Sequence, residues 1–520
     1  MNDITDQNDN TTTNGTAMNG NDSGRRRRRT KRAVWLTAAG LCTATALVAP
    51  IGGTSHADPA EESLGMLCTD GVEAIPGHRA FNITATDGYT SEPDGNSIYG
   101  WGYTSTASFQ LPGPVLCVNQ GEVVDVTLTN QLPVNTSIQF PGQLGVVTVD
   151  GPVGPVADAD GNLLSLVPEA SAGGGQVTYT FTAVNAGTYV YQSGSDPQLQ
   201  VQMGLFGAIV VRPVGITISA DDIMNIPVDG GTTNGGAGMT VGQATAAVSK
   251  ASCAYASVSD ATKCDPLAIY NSSRENILML SEIDPGLHSY IEQHLGSPAD
   301  LTWNAFPGAY EAHYFLINGR SMPDTLAPNL APWLPSQPYG ALAAVQPWDV
   351  GENPLDALLR YVGVGITGYD FHPHSNHEHV IAQDGSLMKG LSGNDNTEEK
   401  FNILVNPSTT VDATFRWTNE EGYKDQDGHR LPVTWPQGLN MMEGDFWSGS
   451  PYLGSTGALN PGILTKTQCG EYYHVAHSHD LTQATNYGIT FGGMLTLIKV
   501  EPPESVQGLQ QGDFIVPVCK

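Results

Sequence analysis

Short runs in which apolar and polar residues alternate dominate the chain. Between residues 58 and 213 they include "EVVDVTLTN", "GGQVTYTFTA", "AGTYVYQ" and "GLFGAIVVRP", each rich in β-branched or aromatic residues and bounded by Gly or Asn. A period of two with such boundaries predicts strands, and no ten-residue amphipathic helix interrupts them. Residues 214–265 change character: Gly, Ala, Thr and Ser prevail ("VDGGTTNGGAGMTVGQATAAVS"), which predicts a linker or surface excursion. From Glu275 the strand pattern resumes in "NILMLSEI", "AHYFLING", "LLRYVGVGI", "VIAQDG", "TVDATFRWTN", "GEYYHVAH" and "GMLTLIKV". Many short strands separated by turn signals predict an all-β chain of two antiparallel Greek-key sandwiches with long loop insertions. The expected division is 58–213 for the first, 214–270 for the linker, 271–503 for the second and 504–520 for a tail.

Composition sharpens this in three ways. The 520 residues contain 60 Gly and 34 Pro but only 14% charged residues, a balance suited to strands and turns rather than long surface helices. Formal charge is −30; residues 1–57 hold seven of the 22 basic and four of the 52 acidic residues, leaving −33 for the remainder. Such a surface repels phosphate backbones and anionic lipid heads, so no nucleic-acid partner is expected. Finally, residues 1–57 read as an address: "RRRRRTKR", then the apolar "AVWLTAAGLCTATALVA", then small residues at Ser55 and Ala57. This is the plan of an export signal cleaved before Asp58, with an uncleaved anchor as the alternative; it predicts a secreted or cell-surface protein with no stable membrane insertion after cleavage. Six cysteines follow it, Cys68, Cys117, Cys253, Cys264, Cys469 and Cys519, an even number that suits disulfides in an exported chain. Cys253 and Cys264 are close enough to pair locally; the connectivity of the other four stays open.

The chemistry gathers on histidine. "FHPHSNHEHV" (371–380) holds four of the 13 histidines, and "HSH" (477–479) adds two more. Side chains at i and i+2 of a strand point the same way, so His372 with His374 and His477 with His479 are two ligand pairs. Side by side, the two strands would offer four imidazoles to a metal ion, and imidazole suits copper, zinc, iron and nickel. No cysteine neighbours a histidine, so no thiolate narrows the choice. Glu378 and Asp480 are near enough in sequence to hold the far ring nitrogens, with simple solvation as the alternative. His377 and His379 are three residues out of step and fall to the opposite face or the surface; His474 has the same parity problem. The isolated His78, His288, His294, His313 and His429 read as ordinary polar residues. The competing reading is two histidine-rich loops that never meet.

Several stretches resemble the multicopper oxidases: "PGPVLCVNQGEVVDVTLTNQLPVNTSIQFPGQ", "GTYVYQSGSDPQLQVQMGLFGAIVV", "HYFLINGRSMPD", "HPHSNHEHVIAQDG" and "HSHDLTQATNYGITFGGM". The resemblance covers most of the chain after residue 65. It implies two cupredoxin-like domains, copper as cofactor, and a type 1 copper passing electrons to a trinuclear cluster. Carried over residue by residue, it is half empty. Where the family has His-x-His-Gly, this chain has Gln139 and Pro141; at the second His-x-His it has Gln192 and Gly194. Tyr369 stands for a type 1 histidine, Ser478 for the type 1 cysteine and Gln483 for the later type 1 histidine, while His372, His374, His477 and His479 survive. The expectation is therefore a copper-binding protein with a reduced four-histidine site and no blue copper centre, zinc being the alternative metal. No catalytic residue is assigned. Open alternatives are a non-catalytic metal-binding or structural protein, or half of an oxidase completed by a distinct partner chain.

Overall fold

A computed structural model describes residues 64–227, 239–348, 350–351, 353–374, 376–392, 394–417 and 472–501, and the backbone of the short strands Gln510–Gln511 and Phe514–Ile515. The expected export signal, Cys469, Cys519 and the tail's ends lie outside these residues.

The first half is a sandwich. One sheet is centred on Val123–Asn130, which pairs in parallel with His78–Ser91 (His78 opposite Val123 through Ala85 opposite Asn130) and antiparallel with Gly175–Thr182. Burial along Val123–Asn130 alternates strictly, as its sequence pattern requires. Facing it is a three-stranded sheet of Gly187–Gln192, Phe206–Arg212 and Leu116–Asn119. Trp101, Tyr103, Leu128, Tyr179, Phe181 and Tyr191 fill the space between them. The disulfide Cys68–Cys117 ties the start of the described chain to the Leu116–Asn119 strand.

Residues 214–270, read in the sequence as a linker, carry structure of their own. Helices Ala220–Met224 and Val241–Val248 each begin with a capping box, Ser219 with Asp222 and Thr240 with Gln243. Both boxes are visible in the sequence but sit inside Gly- and Thr-rich text that hides the helices. Cys253 and Cys264 pair, as their spacing suggested, and close a hairpin. Ile223, Ile226, Ala244, Ala247 and Tyr255 bury themselves there against Ile269 and Leu358 of the second half.

The second half is the larger sandwich. Its main sheet places Ile269–Ile283 parallel to Asp356–Gly363, followed by Thr410–Phe415 and Glu378–Gln383. The opposing sheet runs Ala343–Val345, Leu495–Val500, Tyr472–Ser478, Tyr369–Pro373, Ile403–Val405. Leu359, Tyr361, Phe371, Val405, Ala413 and Ile498 pack between the two.

The halves meet closely. A Cβ at Gly187 (φ +146°) would lie 2.6 Å from the Gly385 Cα, so only glycine fits there. Beside this contact, Arg360 donates to Glu275 (2.7 Å), Asp412 (2.9 Å) and the Thr188 hydroxyl (2.9 Å). Arg212 donates to the second Glu275 oxygen at 2.8 Å, and the Thr188 and Tyr255 hydroxyls donate to Asp412. The two guanidinium groups match the two carboxylates, which is what makes a buried charge cluster tolerable. No helix among the described residues is long and apolar enough to cross a membrane.

Candidate metal centre

Two neighbouring strands build the site. Tyr369–Pro373 and Tyr472–Ser478 run antiparallel with His372 directly opposite His477. Two backbone bonds extend the pairing beyond the strand ends: His374 N–H to the Val475 carbonyl (2.9 Å) and His479 N–H to the Asp370 carbonyl (2.6 Å). Phe371, Pro373, Ala476 and Ser478 point into the sandwich, so the period of two turns all four histidines outward.

The rings converge. Centroid separations are 4.5 Å for His372–His374, 5.0 Å for His372–His479, 5.2 Å for His374–His477, 5.7 Å for His372–His477 and 5.8 Å for His477–His479. The Nε2 atoms of His374 and His477 lie 3.1 Å apart. His372 Nδ1 faces the Phe401 carbonyl, and His477 Nδ1 faces the Ser478 carbonyl at 2.7 Å. A carbonyl oxygen only accepts, so both Nδ1 atoms carry the proton and both Nε2 atoms present a lone pair. Burial lowers the pKa of His372 and His477; at His374 burial first, then repulsion from His372, His477 and His479, brings it to about 4. All three are neutral at pH 7, the form that ligates a metal.

Four imidazoles are donors that copper and zinc accept. Among the described residues no three His, Cys, Asp or Glu side chains are placed to hold a metal ion, and the Nε2 atoms of His374 and His477 face each other directly. Two imidazoles bound tetrahedrally at ~2.0 Å would sit about 3.3 Å apart, so only a few tenths of an ångström separate this contact from a bridged one.

The other expectations sort themselves by geometry. Glu378 is not beside a described ligand: it is fully buried inside the sandwich and accepts from Tyr361 Oη at 2.6 Å. Asp480 accepts from the Thr482 N–H (3.1 Å) and hydroxyl (2.7 Å), closing its own turn. Backbone carbonyls of Phe401 and Ser478 hold the rings instead, a role that no side-chain pattern announces. His379 bonds Thr397 Oγ1 at 2.8 Å, and His377 packs against Phe401 (5.9 Å between centroids), so neither joins the four. His474 faces the core, fully buried, and accepts from the Trp417 indole at 3.0 Å. Burial above all, and then His374, lowers its pKa to about 3.

The positions where the resemblance leaves ligands missing are filled with neutral contacts. Ser478 Oγ donates to Gln483 Oε1 at 2.6 Å in the core, and the buried Tyr369 hydroxyl donates to the Val364 carbonyl at 3.1 Å. In the first half, Gln139 and Gln192 exchange backbone hydrogen bonds (2.8 and 3.2 Å). The Gly194 carbonyl accepts from Leu166 N–H at 2.9 Å, and Ser195 bridges to Ser165. A Cβ at Gly194 would lie 3.1 Å from Val167 Cγ2 and 3.2 Å from Ser137 Oγ. Leu163–Val167 thus covers this turn and leaves no room for an imidazole.

The family model described as multicopper oxidase matches residues 100–215. That match covers about a fifth of the chain, so it is a resemblance of the first half to multicopper oxidases. Among curated relatives, laccase abr2 of Aspergillus fumigatus is 34% identical over 106 residues, 20% of this chain and 16% of that protein. Copper resistance protein A of Escherichia coli is 31% identical over 135 residues, 26% of this chain and 18% of that protein. The matched stretch therefore spans under a fifth of either relative. Among solved structures, the blue copper oxidase from Nitrosomonas europaea aligns with a TM-score of 0.45 at 17% identity, over 85% of this chain and 92% of its own. The described residues form two β-sandwiches.

Proposed function

We propose that this protein is an exported copper-binding relative of the multicopper oxidases whose metal site is reduced to His372, His374, His477 and His479. The observation that carries the reading is the convergence of these four rings from two strands in register, with two lone pairs aimed by backbone carbonyls. His372 and His477 would hold the ion through Nε2, His374 would join them by a small movement, and His479 would close the set. Copper bound there supplies a one-electron couple. The chain itself contributes orientation, neutral imidazoles and a partly open outer face; the buried Ser478–Gln483 bond occupies the place of an electron-accepting thiolate site. Single-electron entry of the laccase kind is therefore not expected, and any oxidoreductase activity would proceed at the four-histidine site alone. Zinc remains the alternative ion, in a structural role, because four histidines leave a tetrahedral zinc no position for water. The outward, exposed edge at His479 also favours a second reading, in which a distinct partner chain completes the site.

The test is to load the purified chain with Cu(II) and count ions by titration and electron paramagnetic resonance. One imidazole-bound ion per chain, lost in His374→Ala and without an intense blue thiolate band, is the expected result. Unchanged binding in His374→Ala would sink the reading.

A further inference from the structure

One helix of the second half reaches into the first. Pro285–Gln293 buries Leu287 and Ile291 in the first sandwich's core, in the cluster that holds Trp101 and Leu199. Beside them His288, 2% exposed, lies against main chain on two sides. Its Nδ1 is 2.6 Å from the carbonyl oxygen of Tyr99, on the strand Ser97–Thr104. Its Nε2 is 3.0 Å from the carbonyl oxygen of Gln202, the last residue of the helix Pro197–Gln202. Gly100 allows this close approach: a Cβ there would stand 3.2 Å from the Met203 carbonyl oxygen and 3.9 Å from His288 Nδ1.

The two acceptors decide what the ring carries. A carbonyl oxygen only accepts, and a neutral imidazole has a single N–H. Either neutral tautomer would aim a lone pair at a carbonyl oxygen and leave that oxygen without this donor in a dry interior. The imidazolium donates to both, and hydrogen bonds from a charged donor are the strong ones. Burial lowers the pKa of His288, against both carbonyl contacts and the Asp284 charge, which raise it. Geometry outweighs burial here, because the neutral ring must break one of two short contacts.

The ionisable neighbours come from each element packed around it. Asp284, one turn back on the same helix, accepts from the Gly286 (2.7 Å), Leu287 (3.3 Å) and Glu311 (2.8 Å) N–H groups. On the first sandwich, the Tyr99 hydroxyl donates to Asp87 at 3.0 Å, and the Tyr89 hydroxyl donates to Glu292. Buried Glu282 accepts from the Gln202 side chain and from the Tyr310 hydroxyl, each at 3.2 Å. The acids among them favour a cation.

We propose that His288 is held as an imidazolium and acts as an alkali-released clamp, tying two elements of the first sandwich to a helix of the second half. Alkali breaks one ring N–H bond, the proton passes to hydroxide, and one of the two carbonyls is let go. A ring charged in the fold has its pKa raised above the ordinary value near 6.5, so its stabilisation is full below that value and is lost as pH rises through the folded one.

The experiment follows denaturant unfolding of the full chain from about pH 5.5 to about pH 9 in the wild type and in His288→Gln, which keeps one donor and does not titrate. Above about pH 7 the unfolding constant of the wild type, divided by that of the variant, should rise about tenfold per pH unit until the ring gives up its proton. A flat ratio above pH 7, or a wild type that loses stability relative to the variant below pH 6.5, overturns the inference. Nuclear magnetic resonance of the wild type decides the matter even where the variant does not fold. With 15N in histidine and 13C in the Tyr and Gln carbonyls, two ring N–H signals coupled to the Tyr99 and Gln202 carbonyls are expected at pH 7. One N–H and one bare nitrogen would overturn the clamp.

Discussion

Two turns at matching places in the two sandwiches have met different ends. After Gly187–Gln192 the chain enters Ser193–Ser195, a knot of buried hydroxyls roofed by Leu163–Val167. After the core of Tyr472–Ser478 it reaches His479, on a face open to solvent. Gly187–Gln192 is an edge strand of its sheet and Tyr472–Ser478 an inner one, and the turns that follow them differ also in what covers them. Histidines stand on the uncovered face; where Leu163–Val167 lies over the turn, small hydroxyls bond one another instead.

The largest break in this contrast should come from His374→Ala, which removes a ring packed against both His372 and His477 on the open side. A loss of at least about a hundredfold in Cu(II) affinity is expected by titration, against no more than a few-fold for His377→Ala. Next, Gly194→His forces an imidazole under the roof of the closed side. It should cost about 1–3 kcal/mol in denaturant unfolding and add no metal binding, because Val167 and Ser137 stand within 3.2 Å of its Cβ.

The comparison sharpens further with pH. Glu92 and Glu378 (each raised to about 8) and Glu282 (about 7) all owe their shift to burial. Their native forms bind more protons than the unfolded chain, so stability falls as pH rises from the ordinary carboxyl range near 4.5 through these values. His374 and His474, depressed to about 4 and about 3, act oppositely, so stability also falls as pH drops below the ordinary histidine range. Melting temperature should therefore peak in mild acid, and the triple Glu→Gln variant should flatten the alkaline limb. The smallest effect is Ser478→Ala, which leaves Gln483 Oε1 without its donor and should cost about 1–2 kcal/mol.

Much of this was legible beforehand. Strict alternation in "EVVDVTLTN" and the β-branched and aromatic run in "GTYVYQ" gave the strands, and the i, i+2 rule gave the two histidine pairs and their common face. The parity argument put His474 on the other face of its strand from His477, and there it is buried in the core. What escaped was whatever depended on backbone or tertiary contact. The carbonyls of Phe401 and Ser478 that orient the rings have no sequence signature. Glu378 looked like a neighbour of imidazoles, yet strand parity turns it into the sandwich, where the Tyr361 hydroxyl donates to it. The helices at 220–224 and 241–248 were masked by glycine-rich surroundings although their capping boxes were in plain view. The roof over Gly194 depends on residues some 30 positions earlier, beyond any local pattern.

The charge cluster at the waist has a practical consequence for anyone cutting the gene. Arg360 draws on Thr188 from one sandwich and on Glu275 and Asp412 from the other, while Arg212 reaches across in return. A fragment ending near residue 213 would carry Arg212 without its acid; the complementary fragment would carry Arg360 and Asp412 stripped of Thr188. The seam visible in the sequence is bridged by this cluster, and the two sandwiches should melt in calorimetry as one.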